Sequence, residues 1–248
     1  MRAVDLFETI LPVPLKQSVR TWMINRAYRN AKGKAAEHVF TDIYKENGWS
    51  GEQSLSGPGS DTLSTRSMIA KLPAFLHEHR IKTLLDVPCG AFHWMQHVDL
   101  GDCRYLGGDI VPELIAANTQ RYASAQRSFQ VLDIINTPVP KVDLIFCRDC
   151  FIHLSNAHIL QSLHNFVASG SRYLLTTSYP GKSYNWDCAT GAFRPLNLEL
   201  APYRLPKPIG VIHDDPPVPE QRGNPNFERD MALWSLDSIA MAIGHHSR

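Results

Sequence analysis

The sequence predicts an α/β fold: a doubly wound, Rossmann-like, mostly parallel seven-stranded sheet with helices on both faces. Short apolar runs alternate with amphipathic helical stretches between residues 83 and 177, a pattern that builds a parallel sheet covered on both sides. Asp86, Asp109 and Asp133 close three successive apolar runs, and ligands of such sheets sit beyond the carboxyl ends of the strands. A chain of 248 residues, 44% of them hydrophobic, also has the material for one sizeable core.

The elements follow in order. Residues 1–40 set Arg2, Lys16, Arg20, Arg26, Arg29, Lys32 and Lys34 against Asp5, Glu8 and Glu37, with Leu15, Val19, Trp22, Met23 and Ile24 between them. This suits a helix lying on an anionic membrane or partner, or a surface helix packed on the main domain. Pro12, Pro14 and the short apolar face favour the packed helix. Residues 49–65 read as a Gly/Ser-rich loop ending at an N-cap, Ser60 or Asp61. A helix carrying Leu63, Ile69 and Leu72 follows, interrupted near Pro73.

Residues 83–87 form the first strand, 88–90 a turn, 93–98 a short helix and 105–109 the second strand. Pro112 suits the first position of a helix reaching Tyr122. Residues 129–133 and 142–147 are the third and fourth strands. Ser155 or Asn156 caps a helix whose apolar face is Ile159, Leu160, Leu163, Phe166 and Val167, and 173–177 is the fifth strand. Residues 180–228 are rich in proline and glycine, with one strand candidate at 209–213, before a last strand at 231–236. Irregular segments of that length inside compact domains tend to carry function, and the aromatics here suggest a packed, substrate-facing excursion.

A net charge of +1 supplies no global field for gathering nucleic acid, which is not expected as a partner. Five cysteines, odd in number and without two CxxC units, suggest neither a disulfide framework nor a zinc site. No run of about 18 apolar residues is present to span a bilayer, and residues 1–40 lack the apolar core of a signal peptide. A cytoplasmic protein is expected, with peripheral membrane contact through residues 1–40 at most. His93 and His97, or His213 with Asp214 and Asp215, would need a third ligand placed by spacing to hold a metal, so no metal is expected.

A nucleoside cofactor needs a tight turn after the first strand and an acid after the second to accept the ribose hydroxyls. Gly90 and Asp109 supply these at nearly the interval of about 20 residues found in dinucleotide folds. The GxGxxG cradle of a nicotinamide enzyme and the GxxxxGK of a P-loop are absent, which excludes those two motifs. Each acid also has a plainer use: Asp86 or Asp109 could cap a helix, and Asp133 could end a strand in a turn.

LLDVPCGAFHWM, YLGGDIVPELIAAN, VLDI and VDLIFCRDCFIHLS resemble the successive motifs of class I S-adenosylmethionine-dependent methyltransferases across residues 83–177. Residues 231–236 resemble that family's closing strand. DVPCG followed by a Trp-Met pair resembles a bacterial branch of the class. The resemblance implies S-adenosylmethionine as cofactor, with Asp86, Pro88, Cys89 and Gly90 along its amino-acid end. It places Asp109 on the ribose diol, Ile110 against the adenine, and Asp133 with Ile134 at the adenine amine; Arg148, at the fourth strand end, joins the cofactor set. The chain departs from the family where Pro88 and Phe92 replace its usual glycines. The resulting division is a basic helical extension over 1–48 and a methyltransferase domain over 49–248, with a substrate-facing insertion at 180–228.

Methyl transfer is an in-line displacement in which the protein aligns the nucleophile and, for a hydroxyl, removes its proton. The base should project from the end of the fourth strand. His153 is the first candidate, because an imidazole titrates near neutrality, with Asp149 as base, orienter or cofactor contact. In the insertion, Arg194, Asn197 and Tyr203 suit a polyhydroxylated or anionic small substrate through stacking and hydrogen bonds. The expected reaction is methylation of a small hydroxylated acceptor (a sugar, glycan precursor or metabolite), at oxygen in preference to nitrogen. The alternative is a non-catalytic cofactor-fold subunit that docks to a membrane or partner enzyme through its basic N-terminal segment.

Overall fold

The computed structural model describes residues 33–49, 53–215 and 228–244; all but Lys34 of the basic side chains noted in residues 1–40 lie outside the described residues. The strands are β1 (Thr83–Asp86), β2 (Arg104–Asp109), β3 (Arg127–Val131), β4 (Leu144–Cys147), β5 (Tyr173–Ser178), β6 (Gly210–Asp214) and β7 (Arg229–Ser235). The helices are α1 (Ala36–Lys45), α2 (Thr62–Glu78), α3 (Pro112–Tyr122), α4 (Asn156–Ala168) and α5 (Leu236–Gly244). The strands assemble in the order β3-β2-β1-β4-β5-β7-β6, the α/β sheet expected. β1 to β5 pair in parallel, whereas β7 runs antiparallel to both β5 and β6. Because β1 lies between β2 and β4, the chain order reverses beside it, the position at which sheets of this kind bind their ligands.

β1 and β4 are continuously apolar up to their ends because both faces are covered. Leu84 packs in one cluster with Met68 and Leu72 of α2, and Leu85 in another with Leu163 and Phe166 of α4 and Ile239 of α5, as strand alternation requires. α1 buries Ala36, Val39 and Ile43, so the described part of the N-terminal extension is a packed helix. Ser155 is the cap of α4, its hydroxyl accepting from the His158 N–H at 3.3 Å. No helix among the described residues is long and apolar enough to cross a membrane.

Two expectations change. α2 continues unbroken through Pro73. A helix-interior proline costs about 3 kcal/mol, but Met68, Leu72, Phe75 and Leu76 are all buried along α2, at roughly 1.5–3 kcal/mol each, and burial wins. The last strand gives way to a helix, α5, directly after Ser235, whose hydroxyl accepts the Ser238 N–H at 3.2 Å.

The turn after β1 keeps left-handed backbone at Gly90 (φ 53°) and at Phe92 (φ 55°). At Gly90 an added Cβ would lie 2.5 Å from the Ser56 hydroxyl, so a side chain there would have to displace Ser56, which accepts the Ala91 N–H at 3.0 Å. Phe92 accepts the conformation because its ring is buried among Tyr105, Tyr122 and Phe129 at centroid distances of 5.1, 5.0 and 5.2 Å. The aromatic cluster thus does the work that a glycine would do by lacking a side chain. Phe92→Ala keeps the unfavourable backbone and loses the ring, so urea unfolding should show a loss of about 3–5 kcal/mol. A change within experimental error would mean the cluster does not hold the turn.

Candidate active site

The crevice at the ends of β1 and β2 is tied together by Asp109. Its carboxylate, 6% exposed, accepts the Gly90 N–H through Oδ2 and the Val111 N–H through Oδ1, both at 3.1 Å. The Cys89 N–H donates to the Gly108 carbonyl at 2.8 Å, and Asn118 of α3 donates from Nδ2 to the Gly90 carbonyl at 2.7 Å. Asp86 accepts from the Tyr105 hydroxyl at 2.6 Å. Burial pushes Asp86 up to about 7, against the Tyr105 bond and assisted by the Asp109 charge. Burial likewise raises Asp109 to about 6, against its backbone hydrogen bonds.

Asp86, Pro88, Cys89, Gly90 and Asp109 are therefore brought together, with Ile110 half-buried next to Asp109. Asp133 and Ile134 are placed differently. Both Asp133 oxygens serve their own turn, accepting from Ile135 N (2.8 Å), Asn136 N (3.3 Å) and Asn136 Nδ2 (2.7 Å). Ile134 is buried in the core cluster with Val139 and Phe166.

Beyond β4 the structure corrects two roles. Arg148, expected with the cofactor set, is turned into the protein. Its Nε and Nη2 donate to Asp214 Oδ2 at 3.2 and 2.9 Å, its Nη1 donates to the Gly59 carbonyl at 2.9 Å, and its guanidinium lies 5.6 Å from the Trp94 ring centroid. Arg229 donates to the same Asp214 oxygen at 2.8 Å and to Asp149 at 2.9 Å. A buried guanidinium requires paired acceptors, and the antiparallel edge β5-β7-β6 delivers Asp214 and Arg229 to supply and share them.

Asp149 is a poor base. Burial raises its proton affinity, but Arg229, 2.9 Å away, and Arg148, 3.3 Å away, outweigh burial and hold the carboxyl below the ordinary range. Its backbone is left-handed (φ 52°), and its N–H donates to the Thr177 hydroxyl at 2.8 Å. Strain of this kind persists only where surroundings over-determine it, and Asp149 is locked from three sides.

His153 ends a 3₁₀ turn after β4. Its Nδ1 lies 2.9 Å from the Ala192 carbonyl; a carbonyl only accepts, so Nδ1 carries the proton and Nε2 the lone pair. Burial lowers the affinity of the ring for a second proton, against the Ala192 bond and the Asp149 charge. The ring sits beside Trp49, 5.0 Å away, and Phe193, 5.8 Å away.

The three residues expected to touch substrate are instead internal pins of the insertion. Arg194 is 0% exposed and donates to the Leu154 carbonyl (2.6 Å), Asn156 Oδ1 (2.8 Å) and the Tyr203 hydroxyl (3.2 Å). Tyr203 in turn donates to Asn156 Oδ1 at 2.6 Å. Asn197 donates to the Pro180 and Lys182 carbonyls at 3.4 and 3.3 Å and accepts the Glu199 N–H at 3.0 Å. An irregular segment has no ladder to satisfy its backbone, so long polar side chains are recruited to do it. The suggested metal trio also diverges: His213 pairs with Asp230 at 2.8 Å, Asp215 with Lys71 at 2.7 Å, and Asp214 with the arginines.

The sequence reading missed Tyr105, Asn118, Trp49, Phe193, Asp214 and Arg229 as site neighbours. Tyr105 and Asn118 had a signal, lying on the second strand and its following helix; the others come from distant segments that no local spacing connects.

Residues 85–175 match the family model described as a methyltransferase domain. No curated protein sequence matches the chain. Among solved structures, the 1,6-didemethyltoxoflavin-N1-methyltransferase of Burkholderia thailandensis is similar, with TM-score 0.57, 16% identity, and coverage of 81% of this chain and 90% of that one. The N-methyltransferase NodS of Bradyrhizobium japonicum gives TM-score 0.51 and 15% identity, covering 71% and 97%. Human N-acetylserotonin methyltransferase gives TM-score 0.47 and 19% identity over 65% of this chain, which spans 49% of the human enzyme's length. At these identities the structural likeness concerns the fold. Together with the sheet order, these likenesses show the α/β, Rossmann-like fold, and the sequence match to a methyltransferase domain extends over residues 85–175 of it.

Proposed function

We propose that this chain uses S-adenosylmethionine to methylate the oxygen of a small hydroxylated acceptor, with His153 as the general base. One observation carries the reading: Asp86 and Asp109 are buried carboxylates at neighbouring strand ends, and neither is ion-paired with a cationic side chain among the described residues. Buried anions without a paired cation are costly. A ligand bearing a sulfonium and an ammonium fits two such acids, and a ribose diol fits an acid whose oxygens each keep a lone pair.

Asp86, Pro88, Cys89 and Gly90 then face the amino-acid end of the cofactor, Asp109 the ribose, and Ile110 the adenine. When bound, the cofactor supplies an electrophilic methyl group on sulfur. The chain supplies alignment and a proton acceptor. The Nε2 lone pair of His153 takes the hydroxyl proton as the oxygen attacks, while the Ala192 carbonyl steadies the imidazolium through Nδ1–H. An oxygen nucleophile needs that proton removed, whereas a neutral amine attacks with its own lone pair, so a neutral, oriented imidazole favours oxygen. The catalytic domain takes in residues 49–248, with 180–228 as its acceptor-side insertion and residues 1–48 as an extension. The loop at residues 86–90, followed by Trp94 and Met95, supports placement in the bacterial branch of the class.

Calorimetry with S-adenosylhomocysteine should register binding to the native chain and at least a tenfold loss, about 1.4 kcal/mol, in Asp109→Asn. No binding to the native chain would sink the reading. Asp86 and Asp109 titrate near 7 and 6, so they are anionic above that window and neutral below it. Affinity for the sulfonium cofactor should therefore fall roughly tenfold between pH 8 and 5.5, a factor that about one lost charge interaction provides; a flat profile contradicts the assignment. His153→Gln should retain cofactor affinity and lower kcat by about 10²–10⁴. The acid limb of the native pH–rate profile should lie below the ordinary histidine range.

A further inference from the structure

We infer that the acceptor is a planar aromatic compound carrying the reacting hydroxyl, held against a row of rings that runs from the cofactor loop to the insertion. The inference rests on the methyl-transfer reading and names the substrate class of that same site. Four rings form the row: Phe40 to Trp49 at 6.1 Å, Trp49 to His153 at 5.0 Å, and His153 to Phe193 at 5.8 Å. All four are half-buried, so each keeps accessible surface. At one end Phe40 packs on the cluster of Cys89, Val111, Leu114 and Ile115 beside the cofactor loop. At the other, Phe193 belongs to the insertion and follows Ala192, whose carbonyl holds His153. The row therefore spans from the cofactor to the base.

Gly57 shows that the position of Trp49 is built in. A Cβ there would lie 3.1 Å from the Trp49 Cβ, and Gly57 has φ 89°, so a backbone that needs glycine makes room for the indole. The three polar side chains first expected to read a sugar are turned to the protein. Arg194, Asn197 and Tyr203 satisfy the insertion, and the charges of Arg148, Asp149, Asp214 and Arg229 are paired with one another. A polyol entering here would leave several hydroxyls desolvated without partners, which disfavours it. An aromatic acceptor presents faces to rings, in the offset or edge-on arrangements they prefer, and needs one polar contact, at His153.

The test is saturation-transfer NMR on the full chain loaded with S-adenosylhomocysteine, with 2-naphthol and methyl α-glucopyranoside in the same tube. Saturation should reach the naphthol and not the glucoside. Trp49→Ala and Phe193→Ala should each cut the naphthol signal at least threefold while S-adenosylhomocysteine affinity stays within twofold, and Trp49→Phe should restore most of it. If an alanine variant fails to fold, Trp49→Leu and Phe193→Leu give the same comparison. Saturation of the glucoside alone, or a naphthol signal that no ring substitution changes, overturns the inference. Failure to bind S-adenosylhomocysteine at all instead removes the methyl-transfer reading, and the naphthol experiment on the unloaded chain still reports whether the ring row binds aromatics.

Discussion

The Asp109 carboxylate joins the turn after β1 to the end of β2. By accepting the N–H groups of Gly90 and Val111, it fixes the position of the loop at residues 88–90, and Asn118 holds the same loop from α3. The arrangement requires left-handed backbone at Gly90 and Phe92, and it leaves Asp109 buried beside Asp86. A carboxylate that organises two backbone donors remains an anion in a low-dielectric crevice. On the proposed reading, structure and ligand chemistry depend on the same group: the charge that closes the loop is also the charge that a cationic cofactor would relieve.

On the other side of β1 the electrostatics are of the opposite kind. Arg148, Asp149, Asp214 and Arg229 form a buried ring of two cations and two anions in which each charge has an opposite partner within 3.3 Å. Such a ring carries no net charge, and it fixes the turn after β4 in a backbone conformation that Asp149 would not choose by itself. In the proposed arrangement the acids without a cationic partner would face the cofactor, the paired charges brace the floor, and His153 is the neutral group with a lone pair. Around Arg194 the segment is mainly scaffolding, and its Phe193 ring is what reaches His153.

The sheet was legible because its signals are local. Apolar runs that end in Asp86 and Asp109, and a proline opening α3, each report on neighbouring residues, and their alternation implies a parallel sheet with covered crossovers; the strand order, with β7 antiparallel between β5 and β6, is visible only in the structure. Pro73 misled because a single missing hydrogen bond is visible in sequence, whereas the burial that outweighs it is not. Arg194, Asn197 and Tyr203 misled for a related reason: their hydrogen-bonding capacity is evident from residue type, but whether it meets a ligand or the insertion's own carbonyls depends on where the chain folds.

By itself, then, the sequence determined the alternation of strands and helices, the carboxylates at the strand ends and the histidine after β4, because each is a matter of spacing along one segment. Only the tertiary structure decided which charges are paired and which have no cationic partner among the described residues. Asp214 and Arg229 reach Arg148 and Asp149 across the antiparallel edge, and Trp49 reaches His153 from outside the sheet. Pairing and burial are properties of distances between remote segments, and those distances exist only once the sheet has closed around them.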